Sequence, residues 1–301
     1  MDDSCARDFE RKNGHLADLF RRHRNKTIKY FMNPGNAGDS LIAAATYQLF
    51  DHYNIDVEIL SSVAEAKALR NETVLLAGGG NLVPLYHGMS ALIRALQAGN
   101  NRIIVLPHSV RGNEDLLQSL APATTIYCRE LPTHQHVLAH APSIEAELSH
   151  DLALFLDTDK LYDDMESDAE IHDLFREMLL ERAKLTPEAI DGKKMSCMRH
   201  GVEKTFIPRA PNFDISIVFQ IGVKPREANR GAWMLLEFTR LASEITTNRL
   251  HVGVASALSG TTTQLHDNSY GKVSSIYTHS MQKDFPNVSF NGEMMADYVF
   301  A

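Results

Sequence analysis

The chain has 301 residues, 44% hydrophobic and 23% charged, the balance of a globular protein and not of a fibrous or disordered one. Thirty Lys and Arg stand against 38 Asp and Glu, a formal net charge of −8, which excludes broad attraction to nucleic acid or anionic lipid as the default; an anionic ligand needs a local basic pocket. Three scattered cysteines, Cys5, Cys128 and Cys197, exclude a disulfide scaffold and a Cys-rich zinc site and suit a reducing cytosol.

The acidic start Met1-Asp2-Asp3-Ser4 leads into no secretory-type apolar stretch, and the apolar runs at 41–50 and 103–106 fall short of the roughly 18 residues of a membrane span. Residues 8–25 mix Phe9, Leu16, Leu19 and Phe20 with many charges and predict an amphipathic helix. Its basic end, Arg21-Arg22-His23-Arg24-Asn25-Lys26, reads as a solvated face, with peripheral membrane or phosphate contact as the alternative. A buried strand is expected over 27–32, then the loop Asn33-Pro34-Gly35-Asn36-Ala37-Gly38-Asp39 and a helix over 40–53. The pattern recurs: strands over 57–60 and 73–77, the loop Gly78-Gly79-Gly80-Asn81, a helix over 89–98, a strand over 102–106, the loop Pro107-His108-Ser109-Val110 and a strand over 125–128.

Parallel strands need crossovers and helices supply them. The alternation therefore predicts a doubly wound, Rossmann-like domain over 28–157, behind an N-terminal helical segment at 1–27. Residues 160–191, acidic and without glycine, read as helix within a linker at 158–192. A strand over 215–221, a helix over 233–244, a strand end at 245–247, a helix over 250–258 and a strand over 261–264 then predict a second, smaller α/β domain at 193–301.

In open α/β sheets, ligands bind beyond the carboxyl ends of the strands, where loops and helix N-termini present N–H groups. The 35–39 loop lacks G-x-G-x-x-G and the Lys-Ser/Thr of a P-loop, so neither dinucleotide nor NTP binding is supported. Its glycines admit a ligand to the backbone, and Asp39 either caps the next helix or accepts a sugar hydroxyl proton. Gly78-Gly79-Gly80-Asn81 either meets a ligand or makes a tight turn. His108 either serves the same sheet edge or bonds a neighbouring loop. Arg129-Glu130 reads as a structural ion pair, and Asp151 either positions a ligand or holds the domain boundary.

Arg249 and His251 fall where a strand passes into an apolar helix, and an anion there gains from the dipole, the free N–H groups and the guanidinium. Arg199, with Glu203 four residues on, and Lys272, closing Asn268-Ser269-Tyr270-Gly271-Lys272, complete a set of cations able to surround phosphate and carboxylate groups. Each cation alone is ordinary surface. The 14 histidines show no His-Glu-x-x-His or similar spacing, which favours a catalytic histidine over a metal centre, and no metal is called for.

In chain order, Asn36-Ala37-Gly38-Asp39, Gly78-Gly79-Gly80-Asn81, Leu106-Pro107-His108-Ser109, Arg129-Glu130, His150-Asp151, Asn248-Arg249-Leu250-His251 and Asn268-Ser269-Tyr270-Gly271-Lys272 resemble the polysaccharide pyruvyltransferase family over most of the chain. The resemblance implies two Rossmann-like domains facing a cleft, GT-B-like, and transfer of pyruvate from phosphoenolpyruvate to a sugar as a ketal. It implies no cofactor beyond phosphoenolpyruvate as co-substrate. Arg249 and His251, with Leu250 between them, match the family's phosphoenolpyruvate-binding and catalytic segment; Arg199, Asn268, Ser269 and Lys272 join them on the donor side. Asn36, Gly38, Gly79, Gly80 and Asn81 fall to the acceptor, a sugar or lipid-linked oligosaccharide of an exopolysaccharide or cell-surface glycan precursor. The setting implied is the cytoplasm, or the inner face of the membrane. His108 stands where many relatives carry Gln, and His150-Asp151 lacks their Asp-Pro step.

Ketal formation needs a proton at the methylene carbon, a cation-like C2, two hydroxyl additions and loss of phosphate. On that chemistry His251 is expected to be the general acid, Arg249 and Arg199 to neutralise the donor, and Asp39 or His108 to orient or deprotonate the acceptor. One alternative is a GT-B glycosyltransferase using a nucleotide sugar, which would need a ribose-binding carboxylate that 250–258 does not offer. Another is a glycan-binding or assembly module without turnover, against which the joint presence of Arg249, His251 and Lys272 argues.

Overall fold

The computed structural model describes residues 1–205 and 211–292. They divide into two compact units: the first holds Met1–Asn33 and Ala45–Phe155, the second Pro34–Ala44 and the described residues from 156 onward.

Unit 1 begins with helices α1 (Asp3–Lys12) and α2 (Gly14–Arg22), where one continuous helix was expected. The break falls at Asn13, a buried residue whose Oδ1 accepts from Ser149 Oγ (2.6 Å) and from the His150 N–H (2.9 Å). These tertiary bonds favour a turn over another helical residue. Phe9 stacks on Phe20 and meets Phe155 edge-on, and Leu16 and Leu19 are buried, so both helices contribute to the unit's core. The basic end lies at the surface, with Arg21 paired to Glu10 and Asp18.

The chain continues through β1 (Thr27–Phe31), α3 (Ala37–His52), β2 (Asp56–Leu60), α4 (Val63–Ala68), β3 (Thr73–Leu76), β4 (Gly79–Leu82) and α5 (Gly88–Gln97). It ends in β5 (Arg102–Val110), α6 (Glu114–Gln118), β6 (Thr125–Cys128), α7 (Leu131–His140) and β7 (Glu145–Leu148). The strands form one parallel sheet in the order β2-β1-β3-β5-β6-β7, with β4 also paired to β5. Every residue of β5 after Arg102 is buried, as expected of a parallel strand covered on both faces. The strand order reverses between β1 and β3, where the chain steps to opposite sides of β1.

Two predicted loops prove to be strand. Residues 107–110 continue β5, because Pro107 falls at an irregularity in the ladder: pairing to β6 runs to Val105 and resumes at His108. A proline that interrupts the ladder is tolerated at such a point. Residues 79–82 form β4, which pairs with this extension of β5 from Gly79 opposite His108.

Unit 2 carries α8 (Thr158–Glu166), capped by Asp157, then α9 (Ile171–Met178), prolonged by a π turn, and α10 (Pro187–Ile190). After these come β8 (Lys194–Ser196), α11 (Ile215–Val218), α12 (Pro225–Leu241), β9 (Glu244–Thr247), α13 (Leu250–Ser259), β10 (Thr262–Leu265), α14 (Lys272–Ile276) and β11 (Val288–Phe290). The strands form a parallel sheet in the order β11-β10-β9-β8. The strand expected at 215–221 is instead the short helix α11. Ile215, Val218 and Phe219 are buried while Ile217 is half exposed, a helical spacing that an unbroken apolar run conceals. Helix α12 starts at Pro225, whose fixed φ suits a first turn, eight residues before the expected start. The fold is thus mixed α/β with parallel, Rossmann-like sheets. Among the described residues no helix is long and apolar enough to cross a membrane.

Candidate functional site

In unit 2 the donor-side candidates leave the carboxyl ends of three adjacent parallel strands. Arg199 follows β8, Arg249 and His251 follow β9, and Asn268, Ser269 and Lys272 follow β10. Thr247 shapes the exit from β9: its hydroxyl donates to Cys197 O (2.7 Å) and accepts from the Arg249 N–H (3.0 Å). Asn248 Oδ1 accepts from the Arg199 N–H (2.8 Å), tying the β8 and β9 loops together.

Arg249 is buried and forks onto Asp214, with Nε 2.8 Å from Oδ1 and Nη2 2.5 Å from Oδ2. Asp214 Oδ2 also accepts from the His200 N–H (3.0 Å), and Asn212 Nδ2 donates to His200 Nε2 (2.9 Å). Arg249, Asp214, His200 and Asn212 line a cavity of about 840 Å³. A two-bond fork fixes the guanidinium plane.

Arg199, Asn268 and Lys272 converge on a single atom. Glu203 Oε2 accepts from Lys272 Nζ (2.8 Å), Asn268 Nδ2 (2.9 Å) and Arg199 Nη1. The Ser269 N–H donates to Glu203 O (3.0 Å), and the Lys272 ammonium lies 5.2 Å from the Tyr270 ring centre. All four side chains are buried, and Arg199 Nε has no hydrogen-bond partner among the described residues. Among the described residues two cations face one carboxylate in this cluster. Leu250 is a core side chain. His266, at the end of β10, is held by burial below the usual imidazole range, which favours its neutral form.

Asn36, Gly38 and Asp39 belong to the same unit as these residues. Asn36 Oδ1 accepts from the Gly38 N–H (2.9 Å) and Asp39 Oδ2 from the Asn36 N–H (2.8 Å), a reciprocal cap on α3. The capping reading of Asp39 is therefore the one seen. A methyl group at Gly38 would stand 2.6 Å from His251 Nδ1 and 2.8 Å from its Cβ, so glycine is what lets the imidazole lie against the first turn of α3.

In unit 1 the remaining acceptor-side candidates gather where the strand order reverses, the ligand position of open α/β sheets. Asn33, just after β1, donates from Nδ2 to Gly78 O (3.2 Å) and accepts from Asn81 Nδ2 (2.7 Å). His108 Nε2 donates to Asn81 Oδ1 (3.0 Å), and the ring is fully buried. Gly79 has φ +155°, and a Cβ there would stand 2.3 Å from Asn33 Nδ2; Gly80 beside it is half-buried. Asn33 was missed from the sequence, although an Asn directly after the first strand, at a reversal point, was a usable signal.

Arg129 and Glu130 form the expected structural ion pair, Nε 3.9 Å from Oε2 and both side chains buried, as part of a wider network. Arg129 Nη1 lies 2.6 Å from Asp151 Oδ2, and Glu130 also accepts from Arg111 Nη1 (3.0 Å), Ser109 Oγ (3.1 Å) and Thr133 Oγ1. Burial pushes the Cys128 and Cys197 thiols well up, away from the nucleophilic thiolate. The expectation that no histidines show ligand spacing is corrected: His136 and His140 lie one turn apart on α7, with Glu114 beside them.

The model of the polysaccharide pyruvyl transferase family matches residues 36–263, well over half of the chain. No curated protein matches it. Among solved structures, a functionally uncharacterized protein from Klebsiella pneumoniae subsp. pneumoniae NTUH-K2044 shares 24% identity, covering 92% of this chain and 96% of that one, with a TM-score of 0.70; at that identity the similarity bears on the fold alone. The chain belongs to the polysaccharide pyruvyl transferase family, a family of transferases.

Proposed function

We propose that this member of the polysaccharide pyruvyl transferase family transfers pyruvate from phosphoenolpyruvate to a sugar as a ketal, the acceptor being a free or lipid-linked precursor of an exopolysaccharide or cell-surface glycan. The observation that carries the reading is the gathering of Arg199, Arg249, His251, Asn268 and Lys272 at the carboxyl ends of β8, β9 and β10 in a chain of this family. Planar guanidinium forks suit phosphate and carboxylate, and burial strengthens each contact.

In the proposed reaction His251 gives a proton to the methylene carbon, which becomes the methyl group, and C2 takes on cationic character. One sugar hydroxyl adds to C2 and releases its proton, phosphate leaves with the C2–O bond electrons, and a second hydroxyl adds and releases its proton. Of the two protons released, one restores His251 and the other ends on phosphate. Arg249, held in plane by Asp214, and the Arg199–Lys272 cluster stabilise the charge on the departing phosphate and on the carboxylate. Asp39, whose Oδ2 also caps α3, is the candidate within the same unit for handling the acceptor hydroxyls.

The test is phosphate release from phosphoenolpyruvate across a panel of hexose acceptors, with wild type and His251→Ala compared. General acid–base losses predict a turnover drop of about two orders of magnitude or more, with the thermal midpoint retained. Near-normal turnover would remove His251 from the mechanism. Thermal stabilisation by a nucleotide sugar, with none by phosphoenolpyruvate, would overturn the reaction itself.

A further inference from the structure

Unit 1 carries a second cluster with a chemistry of its own. His136 and His140 occupy i and i+4 of α7, the spacing that sets two side chains on one helix face, and their ring centres are 4.7 Å apart. Glu114, the first residue of α6, reaches the same place from the turn after β5. One nitrogen of each imidazole and one carboxylate oxygen lie within 4.8 Å of one another. His136 Nε2 lies 3.9 Å from Glu114 Oε1 and donates to Gly112 O (2.8 Å); ligation through Nδ1 would keep that bond, and ligation through Nε2 would replace it. A backbone carbonyl on one nitrogen is the usual means of orienting a metal-ligating imidazole. The side chains of His136 and Glu114 are 18% and 48% exposed, which leaves the cluster reachable from solvent.

We propose that Glu114, His136 and His140 bind a borderline divalent transition-metal ion of the zinc class. Two imidazoles and one carboxylate suit such an ion, whereas magnesium and calcium prefer all-oxygen shells. Three protein ligands leave a fourth position for water. The ion would bridge α6 and α7. The bond network of Arg111, Glu130 and Thr133 already joins the end of β5 to α7, so the ion reinforces an existing junction and acts on the stability of unit 1. The inference does not depend on the transferase reading.

The experiment is calorimetric titration of the untagged, chelator-treated protein with zinc chloride and, separately, magnesium chloride, with thermal midpoints recorded for wild type, His140→Gln and Glu114→Gln. One zinc ion per chain is expected at micromolar metal, with a raised midpoint, no response to magnesium and a loss of about tenfold or more in affinity in each variant. Glu114 is solvent-facing, so its variant keeps the fold and the comparison remains open even where His140→Gln lowers the metal-free midpoint. Absence of saturable zinc binding by wild type, or binding undiminished in both variants, would overturn the proposal.

Discussion

Replacing Asp214 by Ala removes the partner of two charge-assisted bonds from Arg249 and of one from the His200 N–H. Both side chains of the pair are 8% exposed, so the substitution leaves a buried guanidinium without its counter-ion. Breaking a buried pair in this way costs about 3–5 kcal/mol. Because the pair lines the 840 Å³ cavity, water can reach the orphaned group, which places the expected loss near the lower end, about 3 kcal/mol. For a chain of 301 residues that lowers the thermal midpoint by roughly 5 °C. Asp214→Asn, which keeps the shape and one acceptor, should fall between. The assay pairs calorimetric midpoints with phosphate release for Asp214→Ala, Arg249→Ala and the double variant. The double variant should cost less than the sum of the singles by about 1 kcal/mol or more, because the second removal relieves a buried charge. KM for phosphoenolpyruvate should rise in Asp214→Ala, since a guanidinium free to rotate no longer presents a fixed plane. A midpoint within about a degree of wild type, or strictly additive effects, would refute the reasoning.

Gly38→Ala places a methyl group 2.6 Å from His251 Nδ1 and should displace the imidazole, lowering phosphate release by about tenfold or more. The methyl would also stand 2.8 Å from the His251 Cβ, which no side-chain rotation relieves, so the gain of up to about 1 kcal/mol in helix propensity is offset and the thermal midpoint should fall as well; unchanged turnover would mean that the contact has no part in the reaction. Asp168 forks with Arg230 (2.6 and 2.7 Å), and those hydrogen bonds hold its carboxyl down at about 2. Its folded value lies below the unfolded one, so the stabilisation is complete above about pH 4 and is lost as pH falls towards 2. Asp168→Asn should therefore lower stability at neutral pH and flatten the acid limb of the stability curve below about pH 4; identical limbs in wild type and variant would contradict this.

Much of the architecture was legible because the parallel strands are short apolar runs between Gly, Asn and Pro loops. The runs at 27–32, 73–77 and 125–128 correspond closely to β1, β3 and β6. Pro107 misled as a loop signal: proline normally ends a ladder, yet here the ladder itself is interrupted and resumes at His108. The segment at 215–221 misled for another reason, since five apolar residues with one Ser and one Gln fit a strand as well as a buried helical turn. Asn13 ended α1 through bonds to Ser149 and His150, partners more than a hundred residues away that no local pattern announces.

The cations of the candidate site were legible in the sequence, whereas the counter-charge Asp214 and the amide Asn33 were not. Arg199, Arg249 and Lys272 drew notice as cations beside polar loops, and Glu203 as a neighbour of Arg199 in sequence. Asp214 lies thirty-five positions before Arg249, and its one local sign was an Asp ahead of a short apolar run, the pattern of a helix start. Three buried cations without acids would repel one another and resist folding, since a desolvated charge is stable only when paired. Glu203 and Asp214 meet that requirement, one shared by Arg199 and Lys272 and one held by Arg249 alone. Among the described residues these strand ends therefore carry three cations oriented by two carboxylates, and not the bare cationic pocket that the net charge of −8 implies.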